Sequence, residues 1–296
     1  MNASKLLGPD SYSFFDEAMR ESLRIKNATL KDLKTPQITD QFRLYYQPII
    51  NLKTGEITKA EALIRWQHPE RGLIGPAHFV ELAEDSGLIN EMGQWIFETA
   101  TKQAAQWRRT LSHDLQISIN TSPLQYRDNG INVNNWLEQL KALNLSGEAL
   151  ILEITENLLM DTSHSIKGKL KELTDSGLEV AIDDFGTGYS SLSYMKKFDI
   201  DYLKIDQSFV KNLSEKSEDM ALCEAIIVMA HKLDCKVVAE GIETEQQCNL
   251  LKRAGCNFGQ GYLFSRPVCA EEFEKLLSKG QHTLDPTAFP QISISL

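Results

Sequence analysis

Eight short runs of apolar and β-branched residues, helical patterns between most of them, and a span of about 240 residues predict an α/β protein, a (β/α)8 barrel. The runs are FRLYYQPII (42–50), AEALIRW (60–66), LQISIN (115–120), ALILEIT (149–155), LEVAID (178–183), DYLKID (201–206), KVVAE (236–240) and a weak CNFGQG (256–261). One irregularity modifies the barrel. The first two runs are joined by NLKTGEIT, which reads as a hairpin rather than a helix, so the first strand is predicted antiparallel to its neighbour.

In chain order, Phe14, Phe15, Met19, Leu23, Leu30 and Leu33 punctuate a charged stretch at loosely helical spacing that ends at Thr35-Pro36. Residues 1–40 are therefore read as a linker helix from a preceding domain, 41–280 as the barrel, and 281–296, polar with two prolines, as a loose tail. Pro76 is placed to start a helix and Gly87 to close it. Leu222, Ala225, Ile226, Met229 and Leu233 recur at i, i+3, i+4, i+7 and i+11, which predicts the buried face of a helix. Thr244 followed by Gln247 fits a capping box opening the next one.

Composition narrows the function. The 296 residues are 42% hydrophobic and 24% charged, and acids outnumber bases 41 to 31 for a formal charge of −10. That balance speaks against wrapping long nucleic acid or docking on anionic lipid, but not against a small anionic ligand in one pocket. No run approaches ~20 consecutive apolar residues, so no membrane contact is expected of this segment. The N-terminus lacks the basic and apolar regions of a secretory signal. Five cysteines without a CxxC pair read as reduced thiols of a cytoplasmic protein. The six histidines show neither HExxH nor HxH, and His68 and His231 read as packing or surface residues.

The chemistry of such a barrel sits at the C-terminal ends of its strands. Those ends carry Glu61, Asn120, Glu153, Asp183 with Asp184, Lys204, Glu240 and Gln260. Any one carboxylate there can be a helix cap, and for Glu240 and Asp184 singly that alternative stands level. Seven successive strands ending in an acid, an amide or a lysine is harder to explain by capping. Five converging carboxylates repel one another unless cations join them. Oxygen ligands without His or Cys point to two Mg²⁺ or Mn²⁺ ions, hence to two-metal hydrolysis of a phosphodiester. Arg65, on the strand face of Glu61 and Leu63, is placed to contact a phosphate. Gln47 and Gln260 can hydrogen-bond a base or serve the structure, and spacing does not choose.

These motifs carry a resemblance. YYQPI, EALIRW, HPERGLI, INTS, EITE, DDFGTGYSS, LKID, VVAEGIE and QGYLFSRP, spread over residues 41–278, resemble the EAL-domain family of cyclic di-GMP phosphodiesterases. The first forty residues are similar to the junction where a GGDEF domain precedes an EAL domain, which implies a linked GGDEF or sensor domain. The resemblance implies a modified TIM barrel with an antiparallel first strand, and cleavage of cyclic di-GMP to linear pGpG. It implies that Glu61, Asn120, Glu153 and Asp183 hold a first metal. Asp183 bridges to a second, held also by Asp184 and Glu240, and Lys204 positions the water. It places Gln47, Leu63, Arg65, Asp206, Glu243, Gln260 and Pro267 around the substrate. Glu156 in EITE would steady the DDFG loop and link the metal site to a homodimer interface, expected on the helices that follow that loop. The competing reading is a non-catalytic cyclic di-GMP receptor signalling to a protein partner. The intact metal positions and DDFG loop favour the enzyme.

Overall fold

The structure, a computed structural model, describes residues 17–35, 38–127, 130–160, 164–186, 195 and 198–279. The predicted tail 281–296, Phe14, Phe15, Gly188, Tyr189 and Ser190 lie outside the described residues. All eight predicted strands form. They are β1 (Phe42–Asn51), β2 (Ile57–His68), β4 (Gln116–Asn120), β5 (Leu150–Thr155), β6 (Glu179–Phe185), β7 (Tyr202–Ile205), β8 (Lys236–Ala239) and β9 (Phe258–Gly259), with an additional β3 (Gly72–Ile74) after the second.

The strands close into a ring in the order β1-β2-β4-β5-β6-β7-β8-β9 and back to β1, while β3 hangs on β2 outside the ring. From β2 through β4 to β9 the ring pairs are parallel, and β1 runs antiparallel to both of its neighbours. The cause is the short link predicted from NLKTGEIT. Asn51 accepts the Lys53 and Thr54 amides on its side chain, Gly55 takes φ 80°, and the chain turns straight back. A parallel pairing there needs a crossover of a dozen or more residues.

Strand alternation then sorts each side chain to the lumen or the outside. Ile49, Ile151, Ala181, Tyr202, Val238 and Phe258 form a separate buried apolar cluster, contributed by six strands. Two residues nearer the mouth, the same strands present Gln47, Glu153, Asp183, Lys204, Glu240 and Gln260. An apolar floor under a polar layer therefore follows from the period of two.

Outside the ring, helices pack on the strands. Pro76 starts a 3₁₀ turn (Pro76–His78), the helix Val80–Ser86 follows, and Gly87 closes it at φ 79°. Thr244 and Gln247 form the reciprocal capping box of the helix Glu245–Arg253. The helix Glu218–Lys232 corrects the sequence reading. Its buried residues are Met220, Cys223, Ile227 and Ala230, while Leu222 is 48% exposed and Ala225 is exposed. Ile226, Met229 and Leu233 are only partly buried against the core. This helix is apolar on nearly every side, so several i, i+3, i+7 sets fit it, and packing selects among them.

The helix Glu17–Leu33 leaves Leu23 and Ile25 exposed and buries Thr29 and Leu33. Its Asp32 carboxylate accepts His68 Nε2–H at 3.2 Å and Arg71 at 2.9 Å. His68 Nδ1 accepts the Glu70 and Arg71 amides, so His68 is a packing residue, and His231 is exposed.

The closest aromatic pair among the described residues is Phe97 on Trp136, stacked 3.9 Å apart at 8°, with Trp136 Nε1 donating to Gln94 at 2.8 Å. Both rings are buried. Trp136→Ala is expected to lower unfolding stability by about 3–5 kcal/mol, measured by urea denaturation.

Candidate active site

Two features of the sequence bring the acids together. The first is the strand period, which puts Glu61 (β2), Glu153 (β5) and Asp183 (β6) in the lumen; Glu240 follows the end of β8. The second is an irregularity in β6. Ile182 pairs with Leu203 and Phe185 pairs with Ile205, so Asp183 and Asp184 together stand opposite the one residue Lys204. A bulge of this kind re-aims side chains. Asp184 takes φ 52°, in the left-handed region, and Gly186 follows at φ 98°. Without the bulge, strand alternation would send adjacent aspartates to opposite faces. With it, carboxylate oxygens of Asp183, Asp184 and Glu240 lie within 4.8 Å of one another.

Lys204 is the centre of the cluster. Its ammonium, buried, lies 2.7 Å from Glu240, 2.8 Å from Glu153, 3.0 Å from Asp183 and 3.8 Å from Glu61. Asn120 donates to Glu61 at 2.8 Å. Gln260 donates to the other Glu61 oxygen at 2.5 Å and to Gln47 at 2.9 Å, and Gln47 donates to the Ser265 carbonyl at 3.0 Å. Both glutamines are buried, and through this chain of amides they hold Glu61. Ser265, which completes this chain of amides, was missed because it lies 218 residues from Gln47 and no local pattern joins them.

The remaining predicted residues fall at different depths. Leu63 and Arg65 stand above Glu61 on the same face of β2, paired across to Tyr45 and Arg43. Arg65 donates to the Ile64 carbonyl and lies 5.8 Å from the Tyr45 ring. Asp206 caps the helix Gln207–Lys211 through the Ser208 amide at 3.0 Å. Pro267 is half-buried, and Glu243 is exposed beside the Thr244 cap. Glu156 is buried, and neither of its carboxylate oxygens has a hydrogen-bond partner among the described residues. Glu240 and Asp184, for which capping stood level with a site role, both face the cluster.

Charge balance governs the protonation of this layer. Burial pulls the Lys204 ammonium down, but Glu153, Glu240, Glu61 and Asp183 outweigh it and hold its pKa well above the usual range. Burial and the neighbouring Glu61 push Glu153 well above the ordinary carboxyl range despite Lys204. Burial raises Glu240 to about 8, with Asp183 and Glu61 adding to it against Lys204. Burial would raise Glu61 too, but Lys204, Gln260 and Asn120 together keep it below its ordinary value. Burial, then Asp183 and Asp206, raise Asp184. Where positive charge is short, burial and like charge thus favour the protonated form of Glu153 and Glu240.

The donor set fits hard divalent cations: Asp183, Asp184 and Glu240 converge their carboxylate oxygens, with Glu61, Glu153 and Asn120 beside them, oxygen ligands only around the one Lys204 ammonium. A carboxyl raised in the folded state stabilises the fold below its unfolded pKa and loses that contribution as pH rises through the folded value. For Glu240 the window runs from 4.5 to about 8. The metal-free protein is therefore expected to melt at progressively lower temperature across that window. Glu240→Gln should flatten the profile, and added Mn²⁺ should raise the melting temperature more at the alkaline end. Calorimetry at stepped pH, with and without Mn²⁺, checks this; a flat wild-type profile contradicts it.

Comparison with known proteins gives consistent matches. A family model described as the EAL domain matches residues 30–267. The bifunctional diguanylate cyclase/cyclic di-GMP phosphodiesterase MucR of Pseudomonas aeruginosa is 39% identical over 272 residues, 92% of this chain and 40% of MucR. Cyclic di-GMP phosphodiesterase NbdA of the same organism is 37% identical over 277 residues, 94% of this chain and 35% of NbdA. The chain spans less than half the length of these curated relatives. Among solved structures, PaMucR phosphodiesterase in complex with c-di-GMP superposes with TM-score 0.78 at 40% identity, over 83% of this chain and 99% of that one.

Proposed function

The chain belongs to the EAL domain family, and from that premise we propose that it is a metal-dependent phosphodiesterase hydrolysing cyclic di-GMP to linear pGpG. The observation that carries this reading is the buried Lys204 ammonium inside a ring of carboxylates at the barrel mouth. MucR and NbdA, both named as cyclic di-GMP phosphodiesterases, support the substrate.

Glu61, Asn120, Glu153 and Asp183 would hold one divalent cation, and Asp183, Asp184 and Glu240 a second. When bound, such ions supply Lewis acidity toward the phosphodiester and make water a stronger acid. The chain's own residues do the positioning. Gln260 and Gln47 fix the Glu61 carboxylate, and Asn120 fixes its second oxygen. Lys204, held charged by its neighbours, donates hydrogen bonds that orient the attacking water in the lumen. Arg65, at the rim of the same face, pairs with a phosphate oxygen. The water oxygen bonds to phosphorus in line, the bond to the sugar 3′-oxygen breaks, and the proton passes to that leaving oxygen. One ring bond opens, which yields pGpG.

Incubation of cyclic di-GMP with the protein and Mg²⁺ or Mn²⁺, followed by chromatography, is expected to show pGpG. Glu61→Ala should lower kcat/KM by about a thousandfold or more. Lys204→Met should lower kcat by about 10²–10³-fold with little change in KM. Cyclic di-GMP that binds and stays intact at saturating metal would instead mark a receptor.

A homodimer face on the helix Glu218–Lys232 is supported by Leu222 and Val228, exposed by 48% and 58%. Sedimentation is expected to show a dimer that Leu222→Lys with Val228→Lys converts to monomer; a wild-type monomer overturns this.

A further inference from the structure

The helix Glu17–Leu33 rests on the barrel by its last turn. From Arg20 to Ala28 every described side chain is exposed, whereas Thr29 and Leu33 are 3% and 0% exposed. A helix that buries so little of itself draws its stability from the turn that packs. An exposed Lys26–Glu81 pair at 3.9 Å adds little above that turn. The packed turn is gripped by Arg71 and His68. Arg71 forks across it, one nitrogen donating to Thr29 Oγ1 and the other to Asp32 Oδ2, each at 2.9 Å. His68 Nε2 donates to the same Asp32 oxygen at 3.2 Å.

The grip lands on the strand that carries Arg65. β2 sends Glu61, Leu63 and Arg65 to the lumen and buries Ala62, Ile64, Trp66 and His68 on its outer face. Trp66, 0% exposed, follows Arg65 directly. The Arg71 guanidinium carbon lies 5.3 Å from the Trp66 ring centroid, and His68 meets that ring edge-on at 5.1 Å. Trp66 Nε1 donates to Gln41 at 2.9 Å. Arg71 itself lies in the turn between β2 and β3, where its amide and that of Glu70 donate to His68 Nδ1, each at 3.1 Å. The same few side chains thus hold the helix turn, the β2–β3 turn and the back of the residue next to Arg65. A shift of the helix turn moves the packing behind Arg65, because close-packed interiors transmit strain.

We propose that this Asp32–His68–Arg71 latch positions Arg65, so that seating of the helix and binding of the phosphodiester are coupled, a role resting on the phosphodiesterase reading above. Arg71 and Asp32 act through Trp66 and the β2–β3 turn and are positioning residues. Coupling of this kind is reciprocal: what seating of the helix adds to ligand affinity, ligand adds to the seating of the helix.

Equilibrium dialysis of cyclic di-GMP in EDTA measures binding without turnover. Arg71→Ala and Asp32→Ala should each raise Kd by about fivefold or more, and the double variant should do no worse than the stronger single one. With Mn²⁺ the same variants should raise KM by a similar factor and leave kcat within about twofold of wild type. Arg253→Ala breaks the exposed Arg253–Glu215 pair at 2.8 Å on another helix and should leave Kd and KM unchanged. Hydrogen exchange supplies a readout that a merely structural clamp would not move. Saturating cyclic di-GMP should slow amide exchange of Thr29–Leu33 in wild type and lose that effect in Arg71→Ala. Variants that melt earlier yet keep wild-type Kd, or a wild-type helix turn whose exchange ignores saturating cyclic di-GMP, overturn the latch. Wild-type protein that binds cyclic di-GMP with this exchange response yet never cleaves it overturns the phosphodiesterase reading alone. Wild-type protein that binds none overturns both.

Discussion

The Lys204 ammonium, buried among Glu61, Glu153, Asp183 and Glu240, is the interaction on which the functional half of this molecule depends. One positive charge cannot balance five carboxylates in a low-dielectric lumen, so the remaining charge must come from elsewhere. In the metal-free protein it comes from protons, which is why Glu153 and Glu240 are driven upward while Glu61, best supplied with donors, stays ionised. Divalent cations can replace those protons at the same oxygens. The cluster is thus electrostatically unfinished, a feature that favours a site over a structural ion-pair network.

Everything around the lysine serves to keep the acids from separating. The barrel supplies the first constraint: an apolar floor of Ile49, Ile151, Ala181, Tyr202, Val238 and Phe258 supports the polar layer two residues above it. The β6 bulge supplies the second, since it turns Asp183 and Asp184 toward the mouth against Lys204. The third is the reversed β1, which brings Gln47 opposite Glu61 and, through Gln260, ties the two ends of the ring together. Together they hold like charges a few ångströms apart.

Legibility in the sequence followed from how local each cause was. The eight strands and the reversed first strand were readable because period-two runs and a short hairpin connection are local signals. The acids at the strand ends were readable for the same reason. The buried face of Glu218–Lys232 was misassigned because Leu222, Ile226 and Met229 compete with Cys223, Ile227 and Ala230 on a helix apolar all round. Only contact with the strands beneath decides between such sets. Gln47 and Gln260 stood open between base contact and support for a similar reason: the bond between them spans 213 residues.

By itself the sequence determined the barrel, the reversal of its first strand and the identity of the acid, amide and lysine side chains at its mouth. Those depend on residue type and short-range spacing, which one chain displays in full. Tertiary structure alone decided which carboxyls are pushed toward protonation, that two adjacent aspartates stand opposite the same lysine, and that the glutamines brace Glu61. Charge, register and exposure are properties of neighbours distant in sequence. They exist only once the ring has closed.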